Sequence, residues 1–511
     1  MSKPSSSEEP RIVIIGAGLG GISTALALKT QLKFEGFTIY EKGSGVGGVW
    51  RENTYPGCGS DVPAHWYSLS TALNPNWTSY YSSQSEILAY WQDLWTRHSL
   101  AAHTSFSTEV VSATWDASRQ HYDVLLEDRT TGAQRTERAN VVVWAAGGPF
   151  QEPLYPKDLP GAANFKGPVW HSARWRHDVE LKGKRVGVIG NGCSAAQFIP
   201  VISEEPTVEV INFCRTPQWY VPRYDYSASV KWIFAHVPFV MKAYRAFVMA
   251  TSDIRYLALR RTGTRIQRQA REKLTQYVKE TAPEKYHAQL IPEYPPGCRR
   301  MIIDPSYLAS LHRPNVDLNW TGIDSIVEDG IRLKTGEVIK LDVIILSTGF
   351  SLVPPRLDIR GSKDVLLSEH FKAHEGAAAY LGLSVPGFPN FFMLPGPNSG
   401  GGHASLIFVE EVQIQHALQL IKPILQHKAQ SFEVREDVTN KYNKWLQEGL
   451  AKTVWTHCTS YYRGDNKDGK NVTNFAGPVT LFWWLARKPR IADYIATGAE
   501  VFLSQRWWKW W

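Results

Sequence analysis

Two short apolar runs are followed by glycine-rich turns in closely similar ways. Ile12–Ile15 leads into Gly16-Ala17-Gly18-Leu19-Gly20-Gly21, and residues 186–189 lead into Gly190-Asn191-Gly192-Cys193-Ser194-Ala195. Four consecutive apolar residues ending at glycine predict a strand buried on both faces, and the glycines predict a tight turn into a helix. Comparable apolar runs recur at 37–40, 141–147, 208–213 and 341–350, separated by helical stretches. Strands that alternate with helices in this way predict an α/β fold with two Rossmann-like dinucleotide-binding units.

The alternation breaks after Arg215. Residues 230–248 are rich in Trp, Ile, Phe, Val and Met at helical spacing, and residues 255–279 carry eight Lys and Arg. The expected division is therefore 1–150 for the first unit and 151–384 for the second, with a helical insertion at about 222–298. Residues 385–511 then return to the first unit. A basic amphipathic segment has two readings, a helical subdomain with one packed face or a membrane-surface element. The terminal Arg506-Trp507-Trp508-Lys509-Trp510-Trp511 likewise reads as an interfacial anchor or as packed aromatics.

Charge and cysteines narrow the partners. The excess of 56 basic over 48 acidic residues gives +8, which suits anionic small molecules or an anionic membrane surface. No nucleic-acid motif is present, so no nucleic-acid partner is expected. Five cysteines, at 58, 193, 214, 298 and 458, are scattered and odd in number. They predict neither a disulfide framework nor a zinc site, and they fit a reducing, cytoplasmic compartment. No metal is expected. The N-terminal ten residues are polar, are expected to be disordered and lack the apolar stretch of a signal peptide.

The turns differ in one chemically telling position. The run after the first turn ends at Glu41, and the run after the second leads to Arg215, each at the same offset from the leading glycine. A carboxylate there accepts the two hydroxyls of an adenosine ribose, whereas a guanidinium pairs with a 2′-phosphate. Gly16, Gly18, Gly21 and Glu41 are thus candidates for an FAD or NAD site, and Gly190, Gly192, Ser194 and Arg215 for an NADP site. The glycine-rich loop at 395–403, containing Asn398 and His403, precedes an apolar helix starting near Ser405. Its N-terminus is placed to face a flavin and favour negative charge on it.

Two further motifs carry a family resemblance. Residues 165–175 fit FxGxxxHxxxW, and Gly47-Gly48-Val49-Trp50 through Tyr55-Pro56-Gly57 to Asp61 fits [AG]GxWxxxx[FY]P[GM]xxxD. From about residue 11 to 478 the chain resembles the Baeyer–Villiger monooxygenases of the class B flavoproteins, with an overall pattern similar to fungal members. The resemblance implies FAD and NADPH as cofactors, a C4a-peroxyflavin formed with O2, and conversion of a ketone to an ester or lactone. It further implies that Arg300, within 296–300, is the catalytic cation and that Asp61 positions it. Arg299 stands where the family usually has lysine, and joins Arg215 and Thr216 around the 2′-phosphate. Gly48, Trp50, Asp61, Tyr67, Asn398 and His403 are implied around the flavin. His171 is implied to couple domain positions rather than to transfer a proton.

Three positions depart from the family pattern: Arg176 after Trp175, Tyr461 in place of tryptophan, and Phe475-Ala476-Gly477 in place of Trp-Pro-Gly. The aromatic-rich insertion suggests a large apolar ketone. Two alternatives stay open, oxygenation of sulfur or nitrogen (or hydroxylation) by the same flavin chemistry, and a non-catalytic, membrane-associated cofactor-binding protein. Heteroatom-oxidising relatives lack the motif ending at Asp61. A disulfide reductase would need a cysteine pair at close spacing, which Cys58 does not have. The oligomeric state is not legible.

Overall fold

The computed structural model describes residues 9–147, 152–156, 159–351, 357–464 and 469–499. Residues 1–8 of the polar N-terminus and the Trp-rich end at 506–511 lie outside the described residues.

The two glycine turns each sit on a five-stranded, all-parallel sheet. In the first the order is Phe391–Met393, Val141–Trp144, Ile12–Ile15, Phe37–Tyr40 and Thr104–Ser105. In the second it is Val316–Asn319, Glu209–Phe213, Arg185–Ile189, Val343–Leu346 and Val169–His171. The fold is α/β with two Rossmann-like units.

The continuous apolar character of these strands has a packing cause. Ile12, Ile14, Val141 and Val143 face the helices in one core, while Val13, Ile15, Val142 and Trp144 face a second core. That second core is roofed by a sheet built from Thr108–Asp116, His121–Asp128 and Gln134–Ala139. Alternate side chains point to opposite faces of a strand, so a strand covered on both sides must be apolar at every position. Strand Asp358–Arg360 adds to this roof beside Ser112–Thr114. The chain is thus back in the first unit by residue 358, which corrects the expected return at 385.

The insertion leaves after Tyr220–Val221 and re-enters at Ile302–Ile303, which pair side by side in parallel. It contains helices Ala228–His236, Pro238–Leu259 and Arg265–Thr281. Ser227 and Thr264 cap the first and third, each accepting a backbone N–H two or three residues into the helix. Helix Pro238–Leu259 buries Met241, Arg245, Val248, Ser252, Tyr256 and Leu259, a three-four spacing that marks one face.

Arg245 locks that face in place. Its Nη2 donates to Glu411 Oε2 at 2.8 Å and its Nη1 to the His65 carbonyl at 3.1 Å, with a further bond to Ser68 O. Glu411 belongs to helix Leu406–Leu425 and its other oxygen accepts from the N–H and hydroxyl of Ser70, both at 2.7 Å. The insertion is therefore pinned to the returning segment by a largely buried ion pair.

Cysteine pairing differs from the expectation. Cys298 and Cys458 form a disulfide across 160 residues, with Cα atoms 6.1 Å apart, while Cys58, Cys193 and Cys214 are free. Sequence spacing does not predict such a pair, because the fold alone brings its ends together. The cysteine count therefore gives no argument about redox compartment.

The imidazoles of His65, His171 and His416 are buried, that of His403 has both ring nitrogens shielded, and burial lowers each to about 4. An unfolded histidine titrates near about 6.5, so acidification favours the open chain. The stability held by these groups is complete above that value and drains as pH falls through the interval toward about 4. The thermal midpoint is expected to drop on going from about pH 7 to about pH 5. A midpoint that stays level across that range would show that these rings are not held neutral.

Candidate functional site

The two turns share one geometry. Gly16 has φ 98° and a Cβ there would lie 2.9 Å from the Ala145 carbonyl oxygen. Gly190 has φ 108° and a Cβ would lie 2.3 Å from the Ser347 carbonyl oxygen. Only glycine meets both demands where each turn passes the strand-end carbonyl of Ala145 or Ser347. Helices Leu19–Ala27 and Cys193–Ile202 begin from Gly18 and Gly192 without any side-chain cap. Their first-turn N–H groups, with Gly21 in one and Ser194 in the other, are free of a capping side chain and suit a pyrophosphate.

Glu41 lies at the rim of the first turn, where Oε2 accepts from Ala17 N–H at 2.8 Å and Oε1 from Gly43 N–H at 2.7 Å. Gly48 lies against Gly18, and Gly47 N–H donates to Ala17 O at 3.0 Å. This seats the second motif on the turn. Trp50 is buried and its Nε1 donates to the Tyr67 hydroxyl at 3.2 Å; burial raises the Tyr67 pKa. Tyr55 donates to Gln197 Oε1 at 2.8 Å, and Gln197 Nε2 donates to Gly59 O at 3.0 Å. Gln197 is on the helix of the second turn, so the motif bridges the two nucleotide units. That bridging residue escaped the sequence reading, since a mid-helix glutamine carries no motif signal.

Asp61, at the end of the motif, meets Arg300 in a bidentate pair: Nε to Oδ2 at 2.6 Å and Nη2 to Oδ1 at 2.5 Å. The two residues are 239 positions apart. Burial opposes the Arg300 charge, but the Asp61 carboxylate and Tyr461 outweigh it and hold the guanidinium well above its ordinary value. Tyr461, expected as a departure from the family pattern, lies within electrostatic reach of Arg300 and packs at a tilt beside Tyr462 with ring centres 4.6 Å apart.

Arg299 turns the other way. Its Nη2 donates to Thr459 Oγ1 at 3.1 Å, its guanidinium lies 5.4 Å from the centre of the Tyr294 ring, and its Nε is buried with no hydrogen-bond partner. Burial lowers its pKa, Tyr294 opposes that shift and the neighbouring Arg215 charge adds to it. Two guanidinium groups within electrostatic reach, one with an orphaned buried N–H, fit a bound phosphate. Trp219 Nε1 donates to Tyr294 O and the Tyr294 hydroxyl to Pro217 O, lacing the Arg215 and Arg299 loops together. The Thr216 carbonyl accepts from Asn191 Nδ2 at 2.9 Å, tying that loop to the second turn.

The remaining candidates are more structural in their contacts. Asn398 has φ 54°, and its Nδ2 donates to the carbonyls of Asn471 and Asn474, while its Oδ1 is buried without a partner. Phe475 N–H donates to Gly400 O at 2.7 Å, so the 475–477 segment holds the glycine-rich loop. His403 lies in an aromatic box, 5.1 Å from Tyr256 and 6.2 Å from Trp455 between ring centres. His171 accepts from Ala173 N–H through Nδ1 at 3.1 Å and lies between Tyr155 and Phe350, where the two units are connected. Burial holds its pKa near about 4, which leaves the ring neutral.

Comparison with known proteins places this geometry. Residues 14–83 match the NAD(P)-binding Rossmann-like domain, and residues 76–247 match the L-lysine 6-monooxygenase/L-ornithine 5-monooxygenase family. A Baeyer–Villiger monooxygenase of Pseudomonas aeruginosa is 34% identical over 98% of this chain and 93% of its own length. A second, from Streptomyces coelicolor, is 32% identical over 95% and 92%. An FAD-binding monooxygenase of Aspergillus niger is 32% identical over 96% and 82%. Among solved structures, an oxidized steroid monooxygenase bound to NADP superposes with TM-score 0.82 at 25% identity, covering 96% of this chain and 99% of that one. A cyclohexanone monooxygenase from Rhodococcus sp. Phi1 bound to NADP+ gives TM-score 0.82 at 24% identity, covering 96% of this chain and 100% of that one.

Replacing Asp61 by Ala leaves the Arg300 charge without its carboxylate. The fold is expected to lose about 1–3 kcal/mol, a range lowered from that of a fully buried pair because both side chains retain some exposure. Asp61→Leu with Arg300→Leu together should recover part of that loss in denaturant unfolding. Equal losses for the single and double variants would show that the pair is not coupled.

Proposed function

Because the chain belongs to the Baeyer–Villiger monooxygenase family, an FAD- and NADPH-dependent group of enzymes, we propose that Arg300 is its catalytic cation and Asp61 the residue that positions it. When bound, FAD supplies the chemistry that takes electrons from NADPH and passes them to O2, and the reaction inserts one oxygen atom into a ketone. The observation that carries the reading is the bidentate Asp61–Arg300 pair, which joins the end of the glycine motif to the end of the insertion.

Arg300 keeps its charge at any pH near neutrality, since its pKa lies well above the ordinary arginine value. A fixed cation in a partly dry site stabilises negative charge developing on a reacting oxygen and needs no reorganisation at that moment. Asp61 holds one edge of the guanidinium through Nε and Nη2, so the direction in which the remaining N–H groups point is set before substrate arrives. Tyr461 borders the same guanidinium and narrows access of water to it.

Gly16, Gly18, Gly21, Glu41, Gly48, Trp50 and Tyr67 would hold FAD through pyrophosphate, ribose and ring contacts. Gly190, Gly192, Ser194, Arg215, Thr216 and Arg299 would hold NADPH. Uncapped helix starts at Gly18 and Gly192 and the orphaned Arg299 Nε support those assignments. Asn398 and His403 shape the glycine-rich loop on the flavin side. In this scheme residues 1–150 and the chain returning by Asp358–Arg360 form the FAD unit, with the intervening residues from 151 carrying NADPH. A fairly large apolar ketone is the proposed substrate, and a cytoplasmic location with peripheral membrane contact completes the reading.

A second reading, oxygenation of nitrogen or sulfur, draws on the match of residues 76–247 to the lysine and ornithine monooxygenases. That stretch contains neither Asp61 nor Arg300. Anaerobic reduction by NADPH, then oxygen and a panel of ketones, thioethers and amines, separates the two. Ester or lactone products support the ketone reading, and products from heteroatom substrates alone would replace it.

Arg300→Ala is expected to keep flavin reduction by NADPH and to lose ester formation by about a hundredfold or more. Ester formation at the wild-type rate would remove Arg300 from the chemistry. Arg215→Ala should raise KM for NADPH by about tenfold while leaving NADH unchanged. Equal effects on the two nucleotides would show that Arg215 does not read the 2′-phosphate.

A further inference from the structure

Helix Pro238–Leu259 violates the rule for a solvent-facing helix. One face is buried and locked by Arg245, yet the opposite face is also apolar. Phe239, Phe247 and Ile254 are 72%, 61% and 65% exposed, and Ala243, Ala246 and Ala250 continue the stripe between them. These positions recur at three and four residues, so they line one side of the cylinder. A helix whose outer face meets only water carries polar residues there. Trp232, on the preceding helix, is 61% exposed and stacks on His236.

A second element contributes a like surface to this region. Helix Val479–Ala486 is tied to the insertion through Asp253, whose carboxylate accepts from the N–H groups of Val479 and Thr480 at 2.6 and 3.2 Å. It exposes Trp483 and Trp484, and Arg487 lies 3.7 Å from the centre of the Trp484 ring. Exposed tryptophans flanked by arginine favour the boundary between headgroups and acyl chains.

The charge around the stripe has one sign. Between residues 228 and 271 there are nine Lys and Arg and a single acid, Asp253, which is committed to the helix Val479–Ala486. Lys242, Arg255 and Arg260 are exposed. Two copies of such a face would bring like charges together, whereas an anionic lipid surface complements them. Among the described residues no single helix is long and apolar enough to cross a membrane, and the two helices about Val237 meet at a 119° bend.

We propose that this face, centred on Phe239, Phe247 and Ile254 and rimmed by Lys242, Arg255 and Arg260, docks in the plane of an anionic lipid bilayer. It gives the peripheral contact proposed above a defined surface and partner. The basic rim meets the headgroups and the apolar stripe enters the acyl boundary. The contact does not rest on the catalytic assignment, and the two can fail separately.

Flotation of the full-length protein, loaded with FAD, tests the proposal on vesicles of phosphatidylcholine alone and with about one-fifth phosphatidylserine. Binding is expected to need the anionic lipid, to weaken with added salt, and to fall by about tenfold in a Phe239→Ser, Phe247→Ser, Ile254→Ser triple variant. NADPH oxidation with a water-soluble ketone should be unchanged in that variant, which reports that it is folded. Should the variant misfold, quenching of wild-type tryptophan fluorescence by brominated lipid in the same vesicles provides the second readout. Absence of vesicle binding, binding without preference for anionic lipid, or full binding by a folded triple variant would overturn the proposal. So would a shift from dimer to monomer in the variant without any vesicle binding, which would make the face a contact between copies.

Discussion

The ion pair between Asp61 and Arg300 ties together parts of the chain that lie far apart in sequence. Asp61 ends the loop seated on the first glycine turn, Arg300 ends the helical insertion, and Tyr461 brings in the returning segment. A guanidinium fork gripped on two nitrogens has little rotational freedom left. The position of the first nucleotide turn therefore fixes the direction of the cation, provided the loops between them hold. Much of the surrounding structure serves that condition: Tyr55 and Gln197 bind the loop to the second unit, and the Cys298–Cys458 disulfide ties the arginine loop to the chain just before Tyr461.

Arg299 and Arg300 show how one dipeptide divides its labour. At the bend that carries them the two side chains diverge, so one guanidinium faces the Asp61 carboxylate and the other faces Arg215 and Tyr294. The first is neutralised in place by a protein carboxylate. The second is left beside a like charge with a buried N–H unused, an arrangement that is costly until an anion fills it. On the roles proposed above, phosphate binding at Arg299 and the orientation of Arg300 are coupled through one peptide bond.

The fold was legible because its main signals are local. Apolar runs ending in glycine mark the parallel strands, and the two glycine turns mark the two nucleotide-binding units. What sequence could not give was long-range pairing. Cys298 and Cys458 carry no spacing signal, and neither do Gln197, nor the Arg245–Glu411 pair, nor the early return at Asp358–Arg360. Each depends on contacts between segments far apart in the chain, which residue pattern alone leaves undetermined. Tyr461 illustrates the middle case: it departs from the family pattern in the sequence itself, but its place beside the Arg300 charge emerges only when the two loops come together.

Helix Pro238–Leu259 has a site on one side and an open surface on the other. On its inner side Tyr256 packs against His403 and Trp455, and Leu259 lies beneath Gly297, three residues from Arg300. A helix with its side chains is about 10 Å thick. A lipophilic ketone dissolved in the bilayer would thus be separated from the reaction by a single helix rather than by a journey through water. Turnover would then follow the mole fraction of ketone in the lipid, and the amount of membrane in an assay would act as a hidden variable of the apparent KM.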